Sequence, residues 1–303
     1  MGYHNIGTHC LAKLIEWEEK VIALFTHKDN PNENIWFETP EKIAKANAIP
    51  VFKPDSLKDK KWEKLIKVLS PDIIFSFYYR NMIPEGILKI PPLGAINLHG
   101  SLLPAYRGRS PVNWVLINGE KITGVTMHYM TPKPDDGDII AQEKVLIDFH
   151  DTAFTLFKKI DDAAIRLFTK TFPLIKAGIN QRIPQDHSKS SYFGGRTPAD
   201  GIIKWEWPVI KIYNLIRAVT HPYPGAFTFL RGRKLFIWWA LPKQEDKKGK
   251  IGEISIEDEK LYINAKDGYL DILSLQFEGE KEMDPLSFMK KYNIVSGEIC
   301  ENK

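Results

Sequence analysis

The chain has 303 residues, of which 43% are hydrophobic and 26% charged, the composition of an ordinary soluble globular protein with room for two domains. Its net charge of +4 is too small to demand a nucleic-acid or membrane partner, although it allows a locally basic pocket for an anionic substrate. Cys10 and Cys300 lie at opposite ends without disulfide or metal-ligand spacing. The sequence has no apolar run of about 18 residues and no leader pattern at its start, so we expect a cytoplasmic location.

The first half of the chain predicts an α/β domain. Buried strands are predicted at the short apolar runs 21–26, 72–77 and 95–98. Between the first two runs, Thr39 and Pro40 predict a helix start, and apolar residues recur at helical spacing over 62–69. This alternation predicts a doubly wound, Rossmann-like parallel sheet with its active site beyond the carboxyl ends of the strands. Met1 leads almost directly into a helix, so we expect the first strand to be missing or shortened.

Two longer strands are predicted next, at 122–130 and 139–147, joined by the polar loop 131–138. A long amphipathic helix capped by Asp151 then ends near Gly178. We predict that these elements complete a catalytic domain over 1–180.

The last third of the chain predicts a smaller, mostly β domain. Residues 181–201 are polar and aperiodic and are expected to form a linker. Within the second domain, 202–303, a helix is predicted at 210–219. Short strands are predicted at 226–230, 234–240, 251–256, 260–264 and 269–275. Their lengths fit an OB-like β-barrel. The lysine-rich stretch 243–250 is expected to be a solvated hairpin loop.

Three polar residues suggest acyl-transfer chemistry. Asn97 and His99 lie at the end of a predicted strand, and their spacing of two places both side chains on one face. An amide can donate to an oxygen that becomes negative, and an imidazole can exchange a proton near neutral pH. Asp135, in the loop after the next long strand, could hold the imidazole and favour its protonated form. No serine or cysteine stands beside them as a nucleophile, so we expect direct attack by a substrate amine.

Each of these signals is weak when it is considered alone. An Asn-x-His pair more often contains a structural histidine, and the loop at Asp135 could be a solvated turn or an incomplete cation loop. His128 is more often a satisfied strand residue than a catalyst. The segment 107–109 could be a surface basic pair or an anion site, and 78–80 could be ordinary packing at a strand end.

A longer pattern around these residues is much more specific. The chain contains NLHGSLLPAYRGRSPVNWVLINGE at 97–120, TGVTMHYM at 123–130 and DDGDIIAQ at 135–142. These stretches resemble the folate-dependent formyltransferase family, which includes methionyl-tRNA formyltransferase, glycinamide ribonucleotide transformylase and sugar N-formyltransferases. FTHKDNP at 25–31 and RAVTHPYPGAF at 217–227 are similar to one member in particular. It is the formyltransferase domain of the bifunctional enzyme that formylates UDP-4-amino-4-deoxy-L-arabinose in lipid A modification and also decarboxylates UDP-glucuronate.

The resemblance implies roles for individual residues. It makes His99 the proton donor, Asn97 the group that stabilises the tetrahedral transition state, and Asp135 the carboxylate that supports the protonated imidazole. It also implies 10-formyltetrahydrofolate as the formyl donor, with no metal. The positions implied to hold the folate are Asn81, Met82, Ile83, Arg109, Thr131, Pro132, Lys133, Pro134 and Asp135. The chain has no counterpart of the decarboxylase domain, so we expect any oxidative decarboxylation to belong to a separate protein.

The acceptor implied by the resemblance is a UDP- or dTDP-linked 4-amino sugar, with UDP-4-amino-4-deoxy-L-arabinose first. The main alternative, methionyl-tRNA formyltransferase, is expected to carry a basic loop after the second strand, whereas the loop at 27–42 is net acidic. Tyr78, Arg196 and Pro224 are candidates for sugar contacts. A homo-oligomer is one of the assemblies that the sequence allows.

Two other functions fit the sequence less well. A non-catalytic ligand- or RNA-binding module could use the barrel and the lysines of 243–250, but it has no need of Asn97, His99 and Asp135 together. Hydrolysis of formyl-folate by water is disfavoured because a second domain is available to bind a second substrate.

Overall fold

The computed structural model describes residues 1–31, 33–245 and 249–302, and it divides into two compact units. The first unit consists of Met1–Pro111, Ile122–Ile147 and Phe157–Gly194. The second consists of Val112–Lys121, Asp148–Leu156 and Gly195–Lys303. Residues 246–248 of the predicted lysine-rich loop lie outside the described residues.

The helices and strands follow one another closely in both halves of the chain. Up to residue 193 they are α1 (His4–Glu16), β1 (Leu24–Phe25), α2 (Glu41–Ala46), β2 (Val51–Phe52), α3 (Lys60–Leu69), β3 (Ile74–Phe77), α4 (Glu85–Leu88), β4 (Ala95–His99), β5 (Arg107–Gly108), α5 (Pro111–Ile117), β6 (Ile122–Tyr129), β7 (Ile139–Leu146), α6 (Ala153–Lys176) and β8 (Tyr192–Phe193). After it they are α7 (Val209–Val219), β9 (Ala226–Leu230), β10 (Arg233–Lys243), β11 (Ile254–Glu257), β12 (Lys260–Ala265), β13 (Gly268–Phe277), α8 (Pro285–Tyr292) and β14 (Cys300–Glu301).

The first unit contains the predicted α/β architecture. β1 pairs with β2, and β3 pairs with β4, in parallel register. All four residues of β3 are buried, as expected for a strand covered on both faces. β4 also pairs with β6, and β6 with β7, in antiparallel register. The short loop 131–138 accounts for that hairpin, because a parallel return would need a crossover of a dozen or more residues.

Gly2 is hydrogen-bonded between two strands of the first unit. Gly2 forms an isolated parallel bridge with Phe77, and its amide donates to the carbonyl of Phe25 at 2.9 Å. Gly2 therefore links β1 to β3 at the position where the sequence predicts a missing or shortened strand.

The second unit contains a six-stranded antiparallel sheet in the order β11-β12-β13-β10-β9-β14. An antiparallel bridge between Glu253 and Ile299 joins the two edges of this sheet, which confirms the OB-like β class. Helix α8, which the sequence reasoning missed, begins after Asp284, whose carboxylate accepts from the Ser287 amide at 2.9 Å. Among the described residues, no helix is long and apolar enough to cross a membrane.

Candidate active site

Two of the predicted site residues lie on β4. The register pairs Asn97 with Ser76 of β3 and with His128 of β6, so Asn97 lies on a central strand with a neighbour on each side. His99 is the last residue of β4 and is buried. Side chains two residues apart on a strand share a face. The amide and the imidazole therefore point the same way at the carboxyl end of β4.

Asp135 reaches both of these side chains from the loop after β6. Its Oδ1 lies 3.3 Å from Asn97 Nδ2 and 3.5 Å from His99 Nδ1. Asp135 has a φ of +54°, which an aspartate tolerates better than most residues. Gly137 closes the loop so tightly that a Cβ there would lie 2.1 Å from the carbonyl oxygen of Tyr129. The three residues predicted from the sequence therefore meet in one cluster.

The carboxylate of Asp135 is held in its charged form. Burial opposes ionisation, but the neighbouring His99 and the amide of Gly108 outweigh that effect and hold the pKa of Asp135 below its ordinary range. The Gly108 amide donates to Oδ2 at 2.9 Å. A fixed negative charge therefore stands beside the two imidazoles.

The two ring nitrogens of His99 have different environments. Nε2 lies 2.7 Å from the carbonyl oxygen of Tyr106, and because a carbonyl can only accept, Nε2 carries a hydrogen. Nδ1 faces Asp135 at 3.5 Å, which is longer than an ordinary hydrogen bond. Of the two ring nitrogens, Nδ1 therefore makes the weaker contact with the protein.

His128 is a buried residue of β6, and both of its ring nitrogens have partners. Its Nδ1 lies 2.8 Å from the carbonyl oxygen of Tyr129, so this nitrogen carries the hydrogen and Nε2 accepts from Asn97 Nδ2 at 3.1 Å. His128 also lies 3.4 Å from Asp135 Oδ1. The buried imidazole thus orients the amide of Asn97, which faces it across β4 and β6.

Two residues that support the loop were missed or misjudged from the sequence. The sequence allows Arg107 to be part of a surface basic pair, but the residue is buried and donates to Asp136 at 2.7 Å and to Gln185 at 2.6 Å. Gln185, which falls in the predicted linker, donates to the carbonyl oxygens of Asp135 at 2.9 Å and Gly137 at 2.7 Å. No local pattern marks Gln185, because its burial depends entirely on contacts with distant residues.

Arg109, one of the predicted folate positions, donates from its backbone amide to the carbonyl oxygen of Phe193 at 2.9 Å. The other predicted positions fall in two stretches that share one hydrophobic cluster. Ile83 is buried there, and Met130 packs against the same cluster immediately before the loop 131–135. The side chain of Met82 is 54% exposed, and Asn81 donates to the carbonyl of Asp55 at 3.1 Å. Because the side chain of Ile83 is buried, any contact that it makes with a ligand would use its backbone. Within the described residues, no group of three or more His, Cys, Asp or Glu side chains is arranged to hold a metal ion.

Two family models match this chain. The formyl transferase model matches residues 4–172, which include the whole Asn97, His99 and Asp135 cluster. The chain belongs to the formyl transferase family. The model of the C-terminal domain of formyl transferases matches residues 196–293. Family membership therefore covers both halves of the chain.

Solved structures of formyl transferases share this fold. The sugar 3N-formyl transferase WlaRD, crystallised with dTDP and 5-N-formyl-THF, is 21% identical with a TM-score of 0.70, over 92% of this chain and 97% of that one. An N-formyltransferase from Helicobacter canadensis, with folinic acid and dTDP-3-aminofucose, gives the same identity and TM-score over 93% and 97%. A 4-N formyltransferase from Francisella tularensis is 24% identical with a TM-score of 0.62, over 77% and 93%. At these identities the likeness shows a common fold.

The lowered pKa of Asp135 predicts how stability depends on pH. A carboxylate whose native pKa is lower than its unfolded pKa stabilises the fold above the unfolded value, and this contribution is lost as the pH falls towards the native value. We expect Asp135→Asn to reduce the free energy of unfolding by about 1–3 kcal/mol at pH 7, with the difference from the unmodified protein shrinking below about pH 4. Urea titrations between pH 7 and pH 3 measure this difference in the free energy of unfolding. Exposed Asp55→Asn is the matched control, and a difference that does not change with pH would contradict the prediction.

Proposed function

We propose that the protein transfers the formyl group of 10-formyltetrahydrofolate to the amine of a nucleotide-linked amino sugar, with UDP-4-amino-4-deoxy-L-arabinose as the expected acceptor. The observation that carries the proposal is the meeting of Asn97, His99 and Asp135 at the end of β4. The family match and the sugar N-formyltransferases of the same fold support it.

Asn97 would act on the formyl oxygen. The unprotonated sugar amine attacks the formyl carbon, a new C–N bond forms, and the carbonyl oxygen becomes negative. The Nδ2 group of Asn97 donates to His128 at 3.1 Å and to Asp135 at 3.3 Å. The longer of the two bonds is the easier one to exchange for the oxyanion, while His128 keeps the amide oriented. Such a donor contributes a few kcal/mol to the transition state.

His99 would move the proton that completes the reaction. When the bond from the formyl carbon to N10 of the folate breaks, N10 gains a proton and the attacking amine loses one. His99 is buried with Nδ1 3.5 Å from the carboxylate of Asp135, and an imidazole can both accept and donate a proton. Tetrahydrofolate and the formylated sugar are then released.

The two predicted folate stretches suit a flat heterocycle with polar edges. Met82 offers an exposed apolar side chain after β3, and the loop 131–135 offers backbone amides and carbonyls. Both stretches are anchored by the cluster that contains Ile83 and Met130. The donor would therefore lie at the same end of the sheet as Asn97 and His99.

The loop at 27–42 disfavours tRNA as the acceptor. Two cations in or beside this loop are already paired with carboxylates. Arg80 donates to both carboxylate oxygens of Glu33, at 2.7 Å and 2.6 Å. Lys28 lies 3.1 Å from Asp55. Cations engaged in this way are less available to phosphates, on which nucleic-acid affinity mainly depends.

The experiment that tests the proposal supplies competing acceptors. Purified protein is incubated with 10-formyltetrahydrofolate and UDP-4-amino-4-deoxy-L-arabinose, with dTDP-linked 3-amino and 4-amino sugars, or with charged initiator tRNA. We expect formylation of a nucleotide sugar, seen by mass spectrometry, with UDP-4-amino-4-deoxy-L-arabinose the fastest. Formylation of the tRNA alone would contradict the sugar assignment, and a faster dTDP sugar would revise the acceptor.

A further inference from the structure

Residues 185–193 lie in the first unit and are attached to β5 by backbone hydrogen bonds. The amide of Arg107 donates to the carbonyl oxygen of Ser191, and the amide of Arg109 donates to that of Phe193, each at 2.9 Å. β8, which closes this segment, pairs with β5 in parallel register. We call these residues the 185–193 segment. Its backbone is therefore fixed beside the strand that follows the catalytic cluster.

Gln185 begins this segment and uses every hydrogen-bonding group of its side-chain amide. The residue is 7% exposed. Nε2 donates to the carbonyl oxygen of Asp135 at 2.9 Å and to that of Gly137 at 2.7 Å, and Oε1 accepts from Arg107 at 2.6 Å. These partners determine the orientation of the amide, because only its nitrogen can donate to the two carbonyl oxygens and only its oxygen can accept from the guanidinium.

The backbone at Asp135 is in a conformation that needs such support. Its φ of +54° lies in the left-handed region, which a residue with a Cβ adopts at an energetic cost. A conformation of this kind persists only where the surrounding structure fixes it. Gln185 joins the carbonyl groups of Asp135 and Gly137 through one nitrogen, and Arg107 donates to the side chain of Asp136 at 2.7 Å. The turn is therefore held on both sides of the strained residue.

The same segment also fixes the backbone that contacts His99. The hydroxyl oxygen of Ser191 accepts from the amide of Tyr106 at 2.9 Å, and the carbonyl oxygen of Tyr106 accepts from His99 Nε2 at 2.7 Å. Two residues further along, the amide of Gly108 donates to Asp135 Oδ2 at 2.9 Å. The imidazole and the carboxylate therefore both depend on backbone that the 185–193 segment holds.

We infer that Gln185 is a positioning residue for formyl transfer, which fixes the turn at Asp135 so that the carboxylate reaches Asn97 and His99 together. It acts through Asp135, whose Oδ1 lies 3.3 Å from Asn97 Nδ2 and 3.5 Å from His99 Nδ1. Both contacts are already long, so a displacement of about 1 Å breaks them. The kinetic consequence rests on the proposed function, whereas the placement of the carboxylate can be measured without any substrate.

The first test follows the carboxylate of Asp135 by NMR in the absence of substrates. The titratable groups that face it are His99 on β4 and His128 on β6. Arg107, His187 and Asp136 form the charged cluster beside its backbone. Although burial opposes ionisation, His99 and the amide of Gly108 hold the pKa of Asp135 below its ordinary range.

A displaced carboxylate loses these contacts. In Gln185→Met, whose side chain has a similar size but no donor, we therefore expect Asp135 to titrate at least one pH unit higher than in the unmodified protein. The chemical shifts of ¹³C-labelled aspartate carboxyl carbons against pH measure this change, with the Asp135 signal assigned from the Asp135→Asn variant.

The second test is kinetic. At saturating donor and acceptor we expect kcat of Gln185→Met to fall by about 10–10²-fold, with little change in KM for the acceptor sugar. Gln276→Met is the matched control, because Gln276 on β13 donates to the carbonyl oxygen of Glu280 at 2.6 Å and accepts from Trp238 at 2.7 Å. It should lower the thermal midpoint to a similar extent, but keep kcat and the titration of Asp135 unchanged.

Gln185→Asn provides a second variant if the methionine variant does not fold. It keeps a neutral amide, but it is one methylene too short to reach Asp135, Gly137 and Arg107 together, so we expect both changes in smaller measure. A folded Gln185 variant with normal kcat, or one in which Asp135 titrates as in the unmodified protein, would overturn the inference. If the unmodified protein transfers no formyl group while Asp135 titrates higher in the variants, Gln185 still positions the carboxylate and only the proposed function is wrong.

Discussion

Replacing His99 by alanine is expected to lower kcat for formyl transfer by about 10²–10⁴-fold, the range typical of a lost general acid or base. The imidazole is buried beside the ionised Asp135, and Nδ1 lies 3.5 Å from that carboxylate. No second group of the cluster can take its place, because His128 donates from Nδ1 to the carbonyl of Tyr129 and is engaged by Asn97 at Nε2. Steady-state rates at saturating donor and acceptor measure the effect.

Two further variants separate proton transfer from structure. The amide of His99→Gln can still donate to the carbonyl of Tyr106, as Nε2 does at 2.7 Å, but it cannot carry a proton between substrates. We expect this variant to keep a normal thermal midpoint and to lose kcat as the alanine variant does. Exposed His150→Ala is the matched control and should keep full activity. A His99→Gln enzyme with normal kcat would show that the ring has only a structural role.

The second large effect is expected at Asn97. Asn97→Ala removes the donor aimed at the developing oxyanion, and the loss of such a donor costs about 10²–10³ in kcat. Because this interaction strengthens only in the transition state, KM for the folate and for the sugar should change little. Steady-state kinetics with each substrate varied in turn measure both constants.

The thermal stability of the Asn97→Ala variant must be measured as well, because Asn97 Nδ2 also lies 3.1 Å from His128 Nε2. Asn47→Ala is the matched control, because Asn47 lies exposed at the end of α2 and bonds only locally, to Ile43 at 2.9 Å. A rise in KM with an unchanged kcat at Asn97→Ala would place this side chain in ground-state binding and not in transition-state stabilisation.

Much of the fold could be predicted from local pattern. The apolar run at 95–98 became β4, and the run at 226–230 became β9 with the same bounds. The long helix predicted after Asp151 is α6. The prediction missed β14, because a strand of two residues is too short to show a periodic pattern. It also made β10 too short, because the alternation of apolar and polar residues does not extend over all eleven residues of that strand.

The site was predictable where its residues share one strand. Asn97 and His99 are two residues apart, and the geometry of a strand alone places them together. Gln185 lies 50 residues from Asp135, whose carbonyl it holds. The sequence alone suggests that Arg107 is a surface cation, whereas in the fold it donates to Asp136 and Gln185. Such contacts depend on the path of the chain, and no local spacing encodes that path.

The sequence by itself determined the strand that presents the amide and the imidazole, the fold class and, through resemblance, the family. Only the tertiary structure decided that Asp135 reaches both side chains, that His128 orients Asn97, and that Gln185 holds the backbone of Asp135. The physical reason is the separation along the chain over which each effect acts. Backbone geometry places neighbours within a few residues of one another, whereas burial and electrostatic contact between distant segments arise only when the whole chain packs.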